Sequence, residues 1–150
     1  MKKYITILTF LLLITIQIIP LSAQEIYPTN VMLTIRLKGD VIGQEEIFEI
    51  IDMEDYILLP LVSLSRWVDI DINYIRENDL LTIYYEEKDK SVQIDLENEI
   101  YYDQPDWSTE PPVTLEGDFY VTTKLIEYLT EARVDWQPRN QEVILDFNYL

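Results

Sequence analysis

The chain has no histidine and no cysteine, only three glycines, and 11 basic residues against 28 acidic ones in 150. Each shortage excludes something. Without thiol or imidazole there is no cysteine nucleophile, no disulfide framework, no zinc site and no histidine-based acid/base mechanism. Ser63, Ser65, Ser91 and Ser108 therefore have no histidine to activate them. The three glycines form no phosphate-cradling loop. A formal net charge of −17 without a basic stripe repels a phosphate backbone, so nucleic acid is not an expected partner. No catalytic residue, metal ligand set or cofactor is expected.

What is present is a 48% hydrophobic chain rich in tyrosine (11 residues), enough for one ordinary domain with its own core. Residues 1–23 read as a secretory signal peptide. Lys2 and Lys3 precede an apolar run of about 16 residues, and Pro20-Leu21-Ser22-Ala23 supplies the turn and small residue of a cleavage site. The run falls short of the ~20 residues that span a bilayer. No cysteine follows it, so lipid attachment at a new N-terminus is excluded. Cleavage leaves nine basic residues against 28 acidic ones in residues 24–150, with no second apolar segment. A soluble extracytoplasmic protein is expected (secreted, periplasmic or wall-associated), with no membrane span after cleavage.

Along 24–150, strand-like alternation dominates. Val31, Leu33, Ile35 and Leu37 alternate with Met32, Thr34, Arg36 and Lys38, and Gly39-Asp40 and Gly43 punctuate the return into a second strand over 45–51. Pro60 stands where a first helical residue would, and Leu61, Leu64, Trp67 and Val68 give a short helix one apolar face. The period then returns to two over 70–74, 80–85 and 92–96. A proline-rich connector at 103–112 precedes the same order again: strand, turn, strand, a helix with Leu125, Ile126 and Leu129, then two strands carrying Val134, Trp136, Val143, Leu145 and Phe147. Residues 58–83 align without a gap on 120–145, pairing Leu64 with Ile126, Trp67 with Leu129, Ile72 with Val134 and Ile83 with Leu145. The expectation is an α+β fold: mainly antiparallel β-sheet with two short helices, built from two strand-helix-strand-strand repeats at about 56–96 and 113–148. Neither short amphipathic helix can bury its face by itself, so each must lie on a sheet.

The second unit carries a recognisable text: Pro111-Pro112-Val113-Thr114-Leu115-Glu116-Gly117-Asp118-Phe119-Tyr120-Val121, the helix, then Ala132-Arg133-Val134-Asp135-Trp136. It resembles the copper amine oxidase N-terminal-like domain, the stalk domain of exported bacterial proteins, and Leu58-Leu59-Pro60-Leu61 with Ile72-Asn73-Tyr74 continues the likeness in the first unit. The family's proline-leucine-arginine is Thr122-Thr123-Lys124 here, and its glycine after the helix is Glu131 in one unit and Asp69 in the other. The resemblance implies a small antiparallel sheet wrapped on short helices, found in wall and envelope proteins. Copper is not implied, since the domain is not known as the copper-binding part and this chain lacks the ligands. A shorter stretch, Leu33-x-Ile35-x-Leu37-Lys38-Gly39-x-x-x-Gly43, is similar to the first hairpin of the N-terminal region of outer-membrane ushers.

Candidate sites are few. Tyr101, Tyr102 and Trp107, in or beside the connector, are the aromatics that could face a sugar ring or a partner protein. Trp67, Tyr74 and Trp136 are expected to face the core. Asp69-x-Asp71-x-Asn73 opens like a calcium loop, but the sixth and twelfth positions are Tyr74 and Leu80, so no EF-hand follows. The expected function is a non-catalytic envelope module that binds wall polymer or acts as a spacer. The alternatives are assembly with another envelope protein by sheet-edge strand addition and, behind it, a small carboxylate-dependent hydrolase. No effector domain is expected after the last strand.

Overall fold

The computed structural model describes residues 26–147, so the signal-peptide reading of residues 1–23 lies outside the described residues. Strand β1 (Thr29–Leu37) buries Val31, Leu33 and Ile35 on one face. It turns through Lys38 and Gly39, at φ +52° and +87°, into the long β2 (Asp40–Asp52). Two successive positive φ angles make the hairpin turn whose twist matches its flanking strands. The fully buried β3 (Ile57–Pro60) leads into α1 (Leu61–Leu64), a single turn. A four-stranded meander follows: β4 (Ile70–Ile75), β5 (Leu80–Tyr85), β6 (Lys90–Asp95) and β7 (Ile100–Tyr101). The chain then forms β8 (Val113–Leu115), β9 (Asp118–Thr122), α2 (Thr123–Thr130), β10 (Arg133–Gln137) and β11 (Glu142–Asp146).

These strands make two sheets, largely antiparallel. The larger runs β10-β11-β1-β2-β3-β9-β8 and the smaller β4-β5-β6-β7. The exception is β1 with β11, which pair in parallel with Leu33 opposite Val143 and Ile35 opposite Leu145. One core joins the two sheets and α2, through Leu33 and Phe48, Leu81, Ile83 and Ile94, and Leu125, Ile126 and Leu129. A smaller cluster of Ile51, Leu58 and Tyr120 lies beside it, where burial first and then the Glu49, Asp118 and Glu116 carboxylates push the Tyr120 phenol up to about 12.

Several registers recur 62 residues apart. Ile72 faces Ile83 across β4–β5, and Val134 faces Leu145 across β10–β11. Ile51 faces Leu58 across β2–β3, and Val113 faces Tyr120 across β8–β9. Between these hairpins, β3 and β9 pair antiparallel about Leu59 and Val121. The β4–β5 turn holds Asp79 and the β10–β11 turn Gln141, both in the left-handed region.

The helix ends are tied to distant parts of the chain. Asp118, on β9, accepts the Val62 and Ser63 N–H groups at 2.8 and 3.1 Å and the Ser63 hydroxyl at 3.0 Å. It supplies the N-terminal cap that α1 lacks from its own sequence, where Pro60 ends β3 rather than opening the helix. Glu131 ends α2 at φ +57°, and Lys90 and Lys88 reach its carboxylate at 2.9 and 3.2 Å, holding it below the usual carboxylate range. The first helix is shorter than its apolar spacing predicts. The Trp67 and Val68 N–H groups both fall on the Leu64 carbonyl, at 2.9 and 3.1 Å, which closes the segment as a tight turn after one helical turn.

Candidate functional site

The expected aromatic surface is corrected by burial. Tyr101 is 3% exposed and Trp107 7% exposed, and both belong to the core. The connector folds a short 3₁₀ turn, Pro105–Trp107, that drives the indole inward. There it meets Tyr101 and Tyr128 edge-on, with ring centroids 5.5 and 5.8 Å away. The Tyr101 hydroxyl donates to the Glu110 carbonyl at 3.0 Å and accepts the Thr122 N–H at 3.3 Å, and burial raises its pKa. Glu110 also takes the Thr122 hydroxyl and the Lys124 ammonium, so the connector is fastened by a polar network around a buried phenol. Tyr102 alone of the three is exposed, its side chain on the opposite face of the chain and its hydroxyl donating to Asp95 at 3.3 Å.

The reverse correction applies to Trp67 and Tyr74, which are exposed where the repeat pattern places them in the core. Tyr74 lies on Phe119 with centroids 5.3 Å apart, and its hydroxyl is taken by Asp79. Trp136 is half-buried and packs against the core as expected. Trp67 is the informative one. It follows the tight turn after α1, and the six-membered part of its indole lies over Gly43 of β2. A methyl group on Gly43 would stand 2.5 Å from Cζ3 and 2.9 Å from Cε3. The indole N–H donates to the Glu45 carboxylate at 2.7 Å, and Glu45 also draws Arg66 to 3.5 Å. The ring is thus seated on backbone and pinned at its edge, yet 39% of the residue stays exposed.

Two hollows lie in this region, one lined by the indole itself and the other by its hydrogen-bond partner Glu45. One, of about 250 Å³, is lined by Glu45, Ile47, Phe48, Glu49, Ser63 and Arg66. The other, of about 210 Å³, is an apolar cleft formed by Ile35, Leu37, Ile42, Trp67, Val68, Tyr85 and Phe147, with Asp69 and Glu87 as its two charged residues. Both are below the roughly 300–1,000 Å³ of sites that enclose a drug-sized ligand, so they suit one ring of a longer molecule lying across them. A third space, about 320 Å³ over Gln137-Pro138-Arg139-Asn140, belongs to a single turn and gathers no chemistry. Tyr85 donates its hydroxyl to Glu87 at 2.5 Å, and burial together with this bond raises the phenol's pKa.

The acidic motif Asp69-x-Asp71-x-Asn73 is divided, with Asp69 in the cleft and Asp71 and Asn73 on the exposed face of β4. Among the described residues, no three acidic side chains converge as a metal site, and no helix is long and apolar enough to cross a membrane. Asp95, bonded by the Asn98 side chain and backbone, has its pKa lowered like Glu131, opposite to the shift a general acid needs. The sequence signal that would have found the cleft is Gly43. An isolated glycine within a strand pattern marks a close approach, and here the approaching group is an exposed tryptophan. No family model, curated protein or solved structure matches this chain.

Proposed function

We propose that this chain is an exported, non-catalytic module of the cell envelope, of the stalk-domain type, that binds wall polymer across the Trp67 cleft. The observation that carries the reading is Trp67 itself: an exposed indole seated on Gly43 and bonded to Glu45 beside an apolar cleft with carboxylates. A sugar ring stacks an apolar face on such an indole while its polar groups reach the flanking oxygens, and a fixed ring loses little entropy on binding. The site replaces the Tyr101, Tyr102 and Trp107 surface of the sequence reading. Two copies of one unit account for the registers shared 62 residues apart, and the antiparallel β3–β9 pair would be the axis relating them.

A second reading, assembly by strand addition, draws support from β2. Its ladder partner over residues 40–50 is β1, and β3 joins it only at Ile51 and Asp52. Ile42 and Ile47 beside this edge are 61% and 69% exposed. Co-sedimentation of the purified protein with isolated wall material over a salt series separates the readings. Pelleting that persists at high salt, is lost in Trp67→Ala and is kept in Tyr102→Ala is the expected result. Pelleting indifferent to Trp67→Ala but lost in Ile47→Pro, a substitution beside the β2 bulge, would move the site to the strand edge. No pelleting at any salt would remove wall binding altogether.

A further inference from the structure

The donors and acceptors in the cleft decide which sugar it can hold. Its lining includes two carboxylates, Asp69 and Glu87, and no lysine or arginine. The lining side chains that carry an N–H or O–H, Trp67 and Tyr85, have already spent them on Glu45 and Glu87 at 2.7 and 2.5 Å. The side chains therefore offer a ligand acceptors and aromatic faces, and no uncommitted donor. An N-acetyl carbonyl would find no free side-chain donor in this cleft, and a phosphate would also meet its negative charge. An ammonium group brings three donors and a positive charge to the carboxylates, and the exposed ring of Trp67 also favours a cation.

We propose that the Trp67 cleft is selective for amino sugars bearing a free ammonium group, so that its polymer is a de-N-acetylated glycan. The inference rests on the reading of this cleft as the glycan site. A sugar fits better than a lysine side chain because the seated indole presents a flat surface, which a pyranose ring covers and a flexible alkyl chain does not. The surplus of acidic residues over the whole chain adds attraction for a cationic polymer at longer range.

The test is a calorimetric titration of the purified protein with glucosamine oligomers, N-acetylglucosamine oligomers of the same length, and oligolysine of matched charge, below the pH at which the amines lose their protons. Glucosamine oligomers are expected to bind about tenfold to a hundredfold tighter than the acetylated ones, the range charge-assisted hydrogen bonds give. Trp67→Ala should abolish the response, and the Asp69→Asn/Glu87→Gln double variant should remove most of the preference for the amino sugar. Equal binding of both sugars by the unmodified protein would overturn the selectivity and leave the glycan site standing. Binding of neither would remove both. Oligolysine bound as tightly as the amino sugar, with the same dependence on Trp67, would overturn the proposal in favour of a basic peptide.

Discussion

Replacing Trp107 by alanine is expected to destabilise the fold by about 3–5 kcal/mol, the range for truncating a buried aromatic side chain. Against a total stability of roughly 5–15 kcal/mol for a domain, that loss is large enough to leave part of the population unfolded. The indole sits between Tyr101 and Tyr128 on the core side of the connector, and its removal also uncovers the buried Tyr101 phenol and its bonds to Glu110 and Thr122. Tyr102→Ala, five residues away but exposed, should stay within about 0.5 kcal/mol of the parent protein, as surface substitutions do. Urea unfolding followed by circular dichroism measures both. A Trp107→Ala midpoint close to the parent's would mean that the indole is not core, and would restore the connector as an exposed aromatic surface.

Gly43→Ala should do the opposite, costing little stability and most of the binding. The new methyl group would stand 2.5 Å from Cζ3 of Trp67, so the two cannot coexist. The obstacle is the outer end of a partly exposed side chain rather than backbone, so the indole can swing into solvent. The cost should then sit near the low end of the ~1–3 kcal/mol typical of overpacking. The platform and its bond to Glu45 would be gone. Wall or glycan binding should fall to the level of Trp67→Ala while the unfolding midpoint moves only slightly, and iodide quenching of the displaced indole should rise. A Gly43→Ala protein that binds normally would show that the seated conformation of Trp67 is irrelevant to function.

How much of this was legible in the sequence depends on whether a feature is local. Alternation in residues 31–37, 80–85 and 92–96 gave strands because a half-buried strand obliges every second side chain to be apolar, and β1, β5 and β6 lie there. The turns at Gly39 and Gly117 were readable for the same local reason. The parallel β1–β11 pair was not legible, because it joins segments more than a hundred residues apart and no short-range pattern encodes a partner. Tyr101 and Trp107 looked exposed because they neighbour prolines, yet a 3₁₀ turn aims Trp107 inward. Trp67 looked buried because its spacing from Leu61 and Leu64 continues a helix, but the helix stops at Leu64 and the indole is carried onto β2 instead. Side-chain direction after a helix end depends on a backbone turn that apolar spacing cannot report.

The parallel β1–β11 pair bears on how the protein would carry tension. In a parallel pair, the start of one strand and the finish of the other lie at opposite ends of the ladder. A pull on Thr29 and Asp146 therefore slides β1 past β11 along their length. Bonds across residues 32–36 and 142–146 would share the strain together instead of opening one after another as in a zipper. Pulling a single molecule from these two ends should give a higher rupture force than pulling across the Lys38-Gly39 hairpin, and equal forces would refute the shear geometry. Loaded from these two ends, the domain would yield abruptly at high tension rather than lengthen gradually.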